Sequence, residues 1–463
     1  MFDAKIYKER RSTLRRTLKS GIAVFLGNEE MPMNYQANTY HYRQDSSFLY
    51  YFGLAQPGLA GIVDVDEDTD ILFGDDLDID DIIWMGDQPR MTDRGALAGL
   101  SQVLPAGDFA AAVKKASAAG RPVHFLPPYR ADAVIRLSDL LNIPPAEVKG
   151  SASTEFIKAV VAQRSFKIDE EVAEIEAALD ITFAMYAAAI KAIKPGRYER
   201  EVVGALEAPI LSAGCLPAFP TILTVNGQIL HNHHHGNRMD AGRLLVVDSG
   251  SESPGNYASD ITRTFPVSGT FTSSQKEIYS IVLEAQIKAI ESVRPGKLYR
   301  DSHMLAARTI ADGLKDFGLM KGDMAAAVEQ GAHALFFPHG LGHHMGLDVH
   351  DMENLGENHV GYDEKINRSD QFGLAYLRMA KELKPGYVLT VEPGLYFIPA
   401  LIDLWKSEKK FTDFIVYDKL DAFREFGGVR IEDDILVTES GCRVLGKPIP
   451  KAIEDIESAM IDG

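Results

Sequence analysis

The residues best equipped for chemistry crowd into one glycine-rich stretch, and the partners they would need lie far from it. PHGLGHHMGLDVHD (338–351) holds four of the chain's thirteen histidines, His339, His343, His344 and His350. Imidazole is the commonest metal ligand and the commonest acid–base group near neutral pH. Alone, the stretch is compatible with a metal site, a catalytic pair or a glycine-rich loop. The partners on offer are carboxylates in apolar, strand-like runs. Asp248 ends the run of LLVVDSG, Asp260 opens DITRTFPV twelve residues on, and Glu392 sits at the end of VLTVEPG. In GGVRIEDDILVT, the period of two of a strand places Arg430, Glu432 and Asp434 on one face. A carboxylate inside an apolar strand is costly to bury unless it is paired or bound to metal. Each of these alone reads as a strand end facing water; together they read as a site. Four carboxylates, one neutral imidazole and no sulfur make a hard donor set suited to manganese, cobalt or zinc. Their charge matches two divalent cations, which held together can activate water for hydrolysis.

The elements that must position these residues fill the C-terminal part of the chain. A long helical pattern, FKIDEEVAEIEAALDITFAMYAAAIKAIKPG (166–196), opens it. Its ending, AIKPGRYEREV (192–202), recurs a hundred residues later as SVRPGKLYRDS (292–302). Two helix–PG–helix units with two strand groups imply a duplicated half: an α+β body with pseudo-twofold symmetry and helices covering one side of the sheet. A smaller α/β domain precedes it. There, residues 5–20 read as a basic amphipathic helix and GIAVFLGN (21–28) as a buried strand. SSFLYYFGL and AGIVDVD read as further strands of one sheet, DDIIWMG as another, and 108–119 and 130–142 as helices. NIPPAEVKGSAS (142–153) marks a break. The expected domains are 1–160 and 161–463. The acidic run DVDEDTDILFGDD (64–76) is no calcium loop: Thr69 stands where the turn wants glycine, and Asp75 where the loop wants glutamate.

Composition narrows the function classes. With 46% apolar and 25% charged residues the chain has a globular profile. A formal charge of −18 argues against a nucleic-acid partner, whose phosphates call for basic patches. Cys215 and Cys442 are the two cysteines, which allow neither a disulfide framework nor a thiolate zinc cluster. The N-terminus lacks an apolar signal core, and no run approaches the roughly 18 apolar residues of a membrane span. A cytoplasmic protein is expected.

The motifs VVDSG, SDITRTFPV, HGLGHHMGLDVHD, LTVEPGLYF and GGVRIEDDI, in that order, resemble the motif set of the pita-bread (creatinase/aminopeptidase-like) metallopeptidases. Within that group they are similar to the proline-specific branch, the Xaa-Pro aminopeptidases and Xaa-Pro dipeptidases (prolidases). The resemblance covers roughly residues 163–455 and extends more weakly to YRQDSSFLYYFGL (42–54), which resembles the aminopeptidase P N-terminal module. It implies Asp248, Asp260, His343, Glu392 and Glu432 as ligands of two divalent ions, manganese first with cobalt or zinc as alternatives. Asp260 and Glu432 would bridge, and Glu392 would also shuttle a proton to the leaving nitrogen. It further implies His231 and His350 as catalytic histidines, His350 hydrogen-bonding the scissile carbonyl as charge develops. His339 would line the substrate pocket, Arg430 would orient the carboxylates, and the protein would be a homodimer. His344 is left as a bystander and His233, His234 and His235 as a polar turn. His41, His124, His303, His333 and His359 are left to structural or surface roles.

Arg378 stands fourteen residues before Glu392, where the resemblance to prolidases implies an arginine that grips the carboxylate of a dipeptide. A planar guanidinium suits that task; the alternative is a surface arginine on an amphipathic helix. The extended segment 353–391 and the insertion 395–428 favour the prolidase-like form, whereas the polar stretch after VHD departs from it. The expected activity is hydrolysis of Xaa-Pro dipeptides, with cleavage of longer peptides carrying proline second as the alternative. A creatinase-like hydrolase and an inactive peptide-binding module are disfavoured because no ligand is missing.

Overall fold

Short apolar runs broken by turns build a five-stranded sheet in the first part of the chain. Its strands are β1 (Ile22–Leu26), β2 (Ala60–Asp64), β3 (Thr69–Phe73), β4 (Gln102–Leu104) and β5 (Val123–His124), in spatial order β4-β3-β2-β1-β5. This computed structural model describes residues 1–462. The sheet belongs to a unit made of Met1–Arg164 and Met352–His359; a second unit comprises Ser165–Asp351 and the chain from Val360 onward. In the first unit, Ile22, Val24, Ile62 and Phe73 pack against Phe109 and Val113 of helix Asp108–Ala118. Arg11 of helix Ala4–Thr17 is fully buried, its guanidinium donating to Asp70 and to the carbonyls of Tyr51 and Ala98.

Two stretches expected as strands are helices. Ser46–Phe52 is a helix buried along its whole length, capped by Asp45, whose carboxylate accepts from Phe48 N at 2.8 Å, and closed by Gly53. A short run that is apolar on every side carries no period, so its caps decide its conformation. Ile79–Met85 is likewise a helix, opened by a capping box between Asp78 and Asp81, with none of its residues buried.

The second unit is α+β with an internal repeat. Helix Asp169–Ala192 packs on Glu199–Ser212, and helix Ser273–Ser292 packs on Tyr299–Asp316. Each pair turns through a glycine with positive φ, Gly196 at 88° and Gly296 at 82°, a conformation that side chains resist. Gly196 N donates to Met239 O and Gly296 N to Leu383 O, and bridges join Tyr198 to Arg238 and Leu298 to Glu382. Equivalent turns docked on equivalent strand leads are the physical form of the pseudo-twofold symmetry. The strands form three small groups: β6 (Ile222–Thr224) with β7 (Leu244–Ser249) and β8 (Ile261–Pro266); β10 (Gly394–Tyr396) with β11 (Gly428–Arg430); and β9 (Val388–Val391) with β12 (Asp433–Val437) and β13 (Cys442–Val444). An isolated bridge from Thr262 to Glu432 brings the first group to the C-terminal strands. No helix among the described residues is long and apolar enough to cross a membrane.

Candidate active site

The hairpin of β7 and β8 sets Asp248 opposite Thr262, with Asp260 at the entry to β8. Glu392 follows the last residue of β9, and Glu432 lies between β11 and β12. Because these strand ends converge, Asp248, Asp260, His343, Glu392 and Glu432 all line one cleft of about 600 Å³. His231, His339, His350, Arg378 and Arg430 line the same cleft. Residues spread over two hundred positions of sequence are thereby brought to one place.

The hydrogen bonds fix which atoms face inward. His343 Nδ1 lies 3.0 Å from the carbonyl oxygen of His344. A carbonyl only accepts, so Nδ1 carries the proton and Nε2 presents a lone pair. That lone pair looks at Asp260 Oδ2, 3.5 Å away, and Glu392 Oε1, 3.6 Å away. Ligand atoms of Asp260, His343 and Glu432 all lie within 4.8 Å of one another. Asp248 Oδ1, Asp260 Oδ1 and Glu432 Oε1 are buried with no hydrogen-bond partner among the described residues. Four buried or half-buried carboxylates thus share the cleft with two guanidiniums, Arg430 and Arg378, an arrangement that protein atoms alone leave unbalanced. Burial, then the charges of Glu432 and Asp248, pushes the Asp260 carboxyl well above the usual range. Burial, then Glu392 and Asp248, does the same to Glu432. Glu392 is pushed up to about 7 by burial, with Arg430 opposing. A divalent cation answers the convergent lone pairs, the orphaned oxygens and the excess charge together, so the residues present fit a metal site.

Arg430 ties the cluster to its surroundings. Its Nη2 donates to Asp248 Oδ2 at 2.6 Å, its Nε to Thr262 Oγ1 at 3.2 Å and its Nη1 to the Tyr396 hydroxyl at 2.9 Å. Thr262 in turn donates to Glu432 Oε2 at 2.6 Å. Burial works against the Arg430 charge, yet Tyr396 and Asp248 hold its pKa well above the ordinary value. Tyr396 also lies 2.8 Å from His339 Nε2, while His339 Nδ1 lies 2.8 Å from the carbonyl oxygen of Gly340. By the same logic His339 carries its proton on Nδ1 and accepts from Tyr396. Burial, then Arg430, lowers its pKa to about 3, so it stays neutral. With both nitrogens engaged, what His339 offers the cleft is a ring.

Asp433 and Asp434 divide the remaining work. Asp434 Oδ2 accepts the backbone N–H of Asp260 at 3.0 Å. Asp433 pairs with Arg263 Nη2 at 2.6 Å, and the Arg263 guanidinium also donates to the carbonyls of Thr262 and Glu432. The hydroxyl of Tyr186 donates to Val247 O and Ile261 O, the carbonyls that neighbour Asp248 and Asp260.

Some expectations need correcting. Arg378 is not on a helix; it lies in an irregular, half-buried segment whose side chain reaches the cleft. His233 also lines the cleft, although the HNHHH stretch reads as a polar turn. His344 is fully inside, edge-on to Tyr387 with ring centroids 4.8 Å apart. Thr262, Thr390 and Tyr396 were not singled out from sequence. Thr262 stands two residues after Asp260 and Thr390 two before Glu392, a spacing of two that marks them, whereas Tyr396 lies on the next strand, β10.

Residues 173–439 match the family model described as metallopeptidase family M24, and residues 7–124 match the aminopeptidase P N-terminal domain. Human Xaa-Pro dipeptidase is 33% identical, over 95% of this chain and 88% of that protein. A probable Xaa-Pro aminopeptidase of Aspergillus niger is 32% identical, over 90% of this chain and 88% of that protein. Among solved structures, Zn-substituted Escherichia coli aminopeptidase P in complex with product matches with a TM-score of 0.81 at 28% identity, covering 100% of this chain and 99% of that one. Pseudomonas aeruginosa aminopeptidase PepP matches with the same TM-score and identity, covering 100% and 98%.

Proposed function

The chain belongs to metallopeptidase family M24, and from that premise we propose that it hydrolyses the bond between an N-terminal residue and a following proline, above all in Xaa-Pro dipeptides. The observation that carries this reading is the shared cleft: the acidic cluster, five histidines and Arg378 line one cavity. Asp248, Asp260, His343, Glu392 and Glu432 would hold two divalent ions, manganese first and cobalt or zinc as alternatives. When bound, such ions supply Lewis acidity and lower the pKa of water.

The chain's own residues do the rest. Glu392 takes a proton from the attacking water and delivers it to the proline nitrogen as the C–N bond breaks. His350 donates to the scissile carbonyl oxygen as negative charge grows on it, and His231 lines the substrate site beside it. The His339 ring, its nitrogens already engaged, packs against the pyrrolidine of proline. Arg378 binds the free carboxylate that ends a dipeptide, a bidentate pairing natural to guanidinium. Arg430 keeps Asp248 and the Tyr396 hydroxyl in register.

The second reading, cleavage of longer peptides, is favoured by the full-length likeness to aminopeptidase P structures. Both readings take residues 1–160 as an N-terminal domain and 161–463 as the catalytic domain, in a cytoplasmic homodimer. The deciding experiment loads the purified protein with manganese and compares hydrolysis of Ala-Pro with Ala-Pro-Ala. Cleavage of the dipeptide alone, lost in Arg378→Ala, supports the first reading; tripeptide cleavage indifferent to that change selects the second. Cleavage of neither by metal-loaded protein overturns both.

A further inference from the structure

Lys167 and Asp351 form an ion pair of 2.9 Å, each side chain 1% exposed. They occupy special places in the chain. Lys167 is the third residue of the second unit, and Asp351 is the last before the chain leaves that unit at Met352. A buried pair of this kind is weak evidence of stabilisation, because desolvation offsets the attraction. Its other contacts indicate what it does instead. Asp351 N donates to His344 O at 2.9 Å, and Asp351 Oδ1 accepts from Asp348 N at 3.3 Å. Gly346 N donates to Asp348 O at 3.1 Å, and Lys167 N is itself held by Gly386 O at 2.8 Å. Residues 344–351 are therefore closed into a loop whose knot is the Asp351 carboxylate. Gly346 lies directly over the pair: a Cβ there would meet Asp351 Oδ2 at 2.7 Å and Lys167 Cε at 2.9 Å. The loop begins beside His343 and ends beside His350, and these two rings stand 4.1 Å apart between centroids.

We propose that Lys167 and Asp351 are positioning residues for catalysis, anchoring the exit of this loop so that the His350 imidazole is held at the cleft. Asp351 is one peptide bond from His350, and the next residue, Met352, turns through the left-handed region at φ 64° into the segment 352–359 of the other unit. The pair fixes the backbone on the cleft side of that crossing, so displacement of the segment beyond it is not passed to His350. The proposal rests on the assignment of His350 to the scissile carbonyl made above.

The test uses the full, metal-loaded chain and Ala-Pro. Lys167→Met combined with Asp351→Asn removes both charges and leaves no lone buried ion. Gly346→Ala keeps both charges and displaces the carboxylate from its seat. Each is measured alone and with His350→Ala, alongside metal content and thermal melting. Each is expected to lower kcat by about tenfold or more with KM changed by less than about twofold, the range typical of residues that orient a catalytic group. In the His350→Ala background the same changes are expected to cost less than about twofold, because the group they position is gone. A native kcat in Gly346→Ala overturns the proposal, and so does a loss of equal size with and without His350, which marks a general structural role. A native kcat in His350→Ala alone instead overturns the assignment of His350, and the proposal falls with it.

Discussion

Arg430 and Asp248 meet through one buried contact, 2.6 Å from Nη2 to Oδ2, while the other oxygen of Asp248, on a residue lining the cleft, has no hydrogen-bond partner among the described residues. The guanidinium thus uses up one lone-pair direction of the carboxylate and aims the other. A lysine cannot do this while also reaching Thr262 and Tyr396, since its donors radiate from one point. Arg430→Lys is expected to weaken metal binding and activity by about 10–100-fold. Calorimetric manganese titration of the stripped protein, beside kcat on Ala-Pro, measures both; unchanged affinity would remove Arg430 from this role.

Tyr396 links that guanidinium to His339. Tyr396→Phe leaves His339 Nε2 without a donor and Arg430 Nη1 without an acceptor, both inside the protein. Loss of a hydrogen bond to a charged group costs about 1.5–3 kcal/mol, so kcat/KM is expected to fall by roughly ten- to a hundredfold. His339→Phe tests the complementary claim. A ring without nitrogens should retain most discrimination for proline over alanine at the second position, read from the ratio of kcat/KM values. Loss of that discrimination would show that the nitrogens matter as well as the ring.

Removing the metal should destabilise the protein in a pH-dependent way. The Glu392 carboxyl moves from the ordinary value of 4.5 to about 7, and Asp260 and Glu432 move in the same direction. Raised folded pKa values mean the folded state holds more protons than the unfolded one across this window. Their contribution is complete below the unfolded value near 4.5 and is lost as pH rises through about 7. The melting temperature of chelator-treated protein should therefore fall away from that of the metal-loaded protein between pH 4.5 and 7.5. A constant gap would contradict the raised values.

A second pair of groups acts in the opposite sense. His303 and His333 are buried, with ring centroids 6.3 Å apart, and the His303 ring has no hydrogen-bond partner among the described residues. Burial lowers their pKa values to about 3 and about 4. The unfolded state then binds protons that the folded state refuses, so stability is full above about 6.5 and is lost as pH falls toward 3. His303→Phe, which keeps a ring against Phe337, should make the metal-loaded protein more resistant to acid, on the order of a few kcal/mol near pH 4. An unchanged acid unfolding midpoint would refute the assignment.

Much of this is legible in the sequence. The acidic residues announced themselves by sitting in apolar strands, and the repeated PG turns exposed the duplicated half. Helix 46–52 was hidden because SSFLYYF is apolar on every side, so neither helical nor strand period could show, and the caps Asp45 and Gly53 carried the information. Helix 79–85 was hidden for the opposite reason: none of it is buried, and only the Asp78–Asp81 capping box orders it. Arg378 could not be placed because irregular backbone has no periodicity to read. Tyr396 is hidden because its role depends on Arg430 reaching it from the neighbouring strand, a relation of register and not of local pattern.

The excursion of residues 352–359 into the first unit has a consequence for how the polypeptide can be cut. The chain passes between the units three times, after Arg164, after Asp351 and after His359. A single proteolytic nick after Arg164 leaves residues 1–164 held only by their non-covalent packing with residues 352–359 of the other fragment, so the two pieces would still migrate together under native conditions and part only in denaturant. A fragment starting at Ser165 would carry eight residues, including the buried Leu355, whose packing partners had been deleted. Digestion that releases a stable C-terminal body should therefore show a second cut within 352–359, which separates Asp351 from Val360 and leaves that body itself in two pieces.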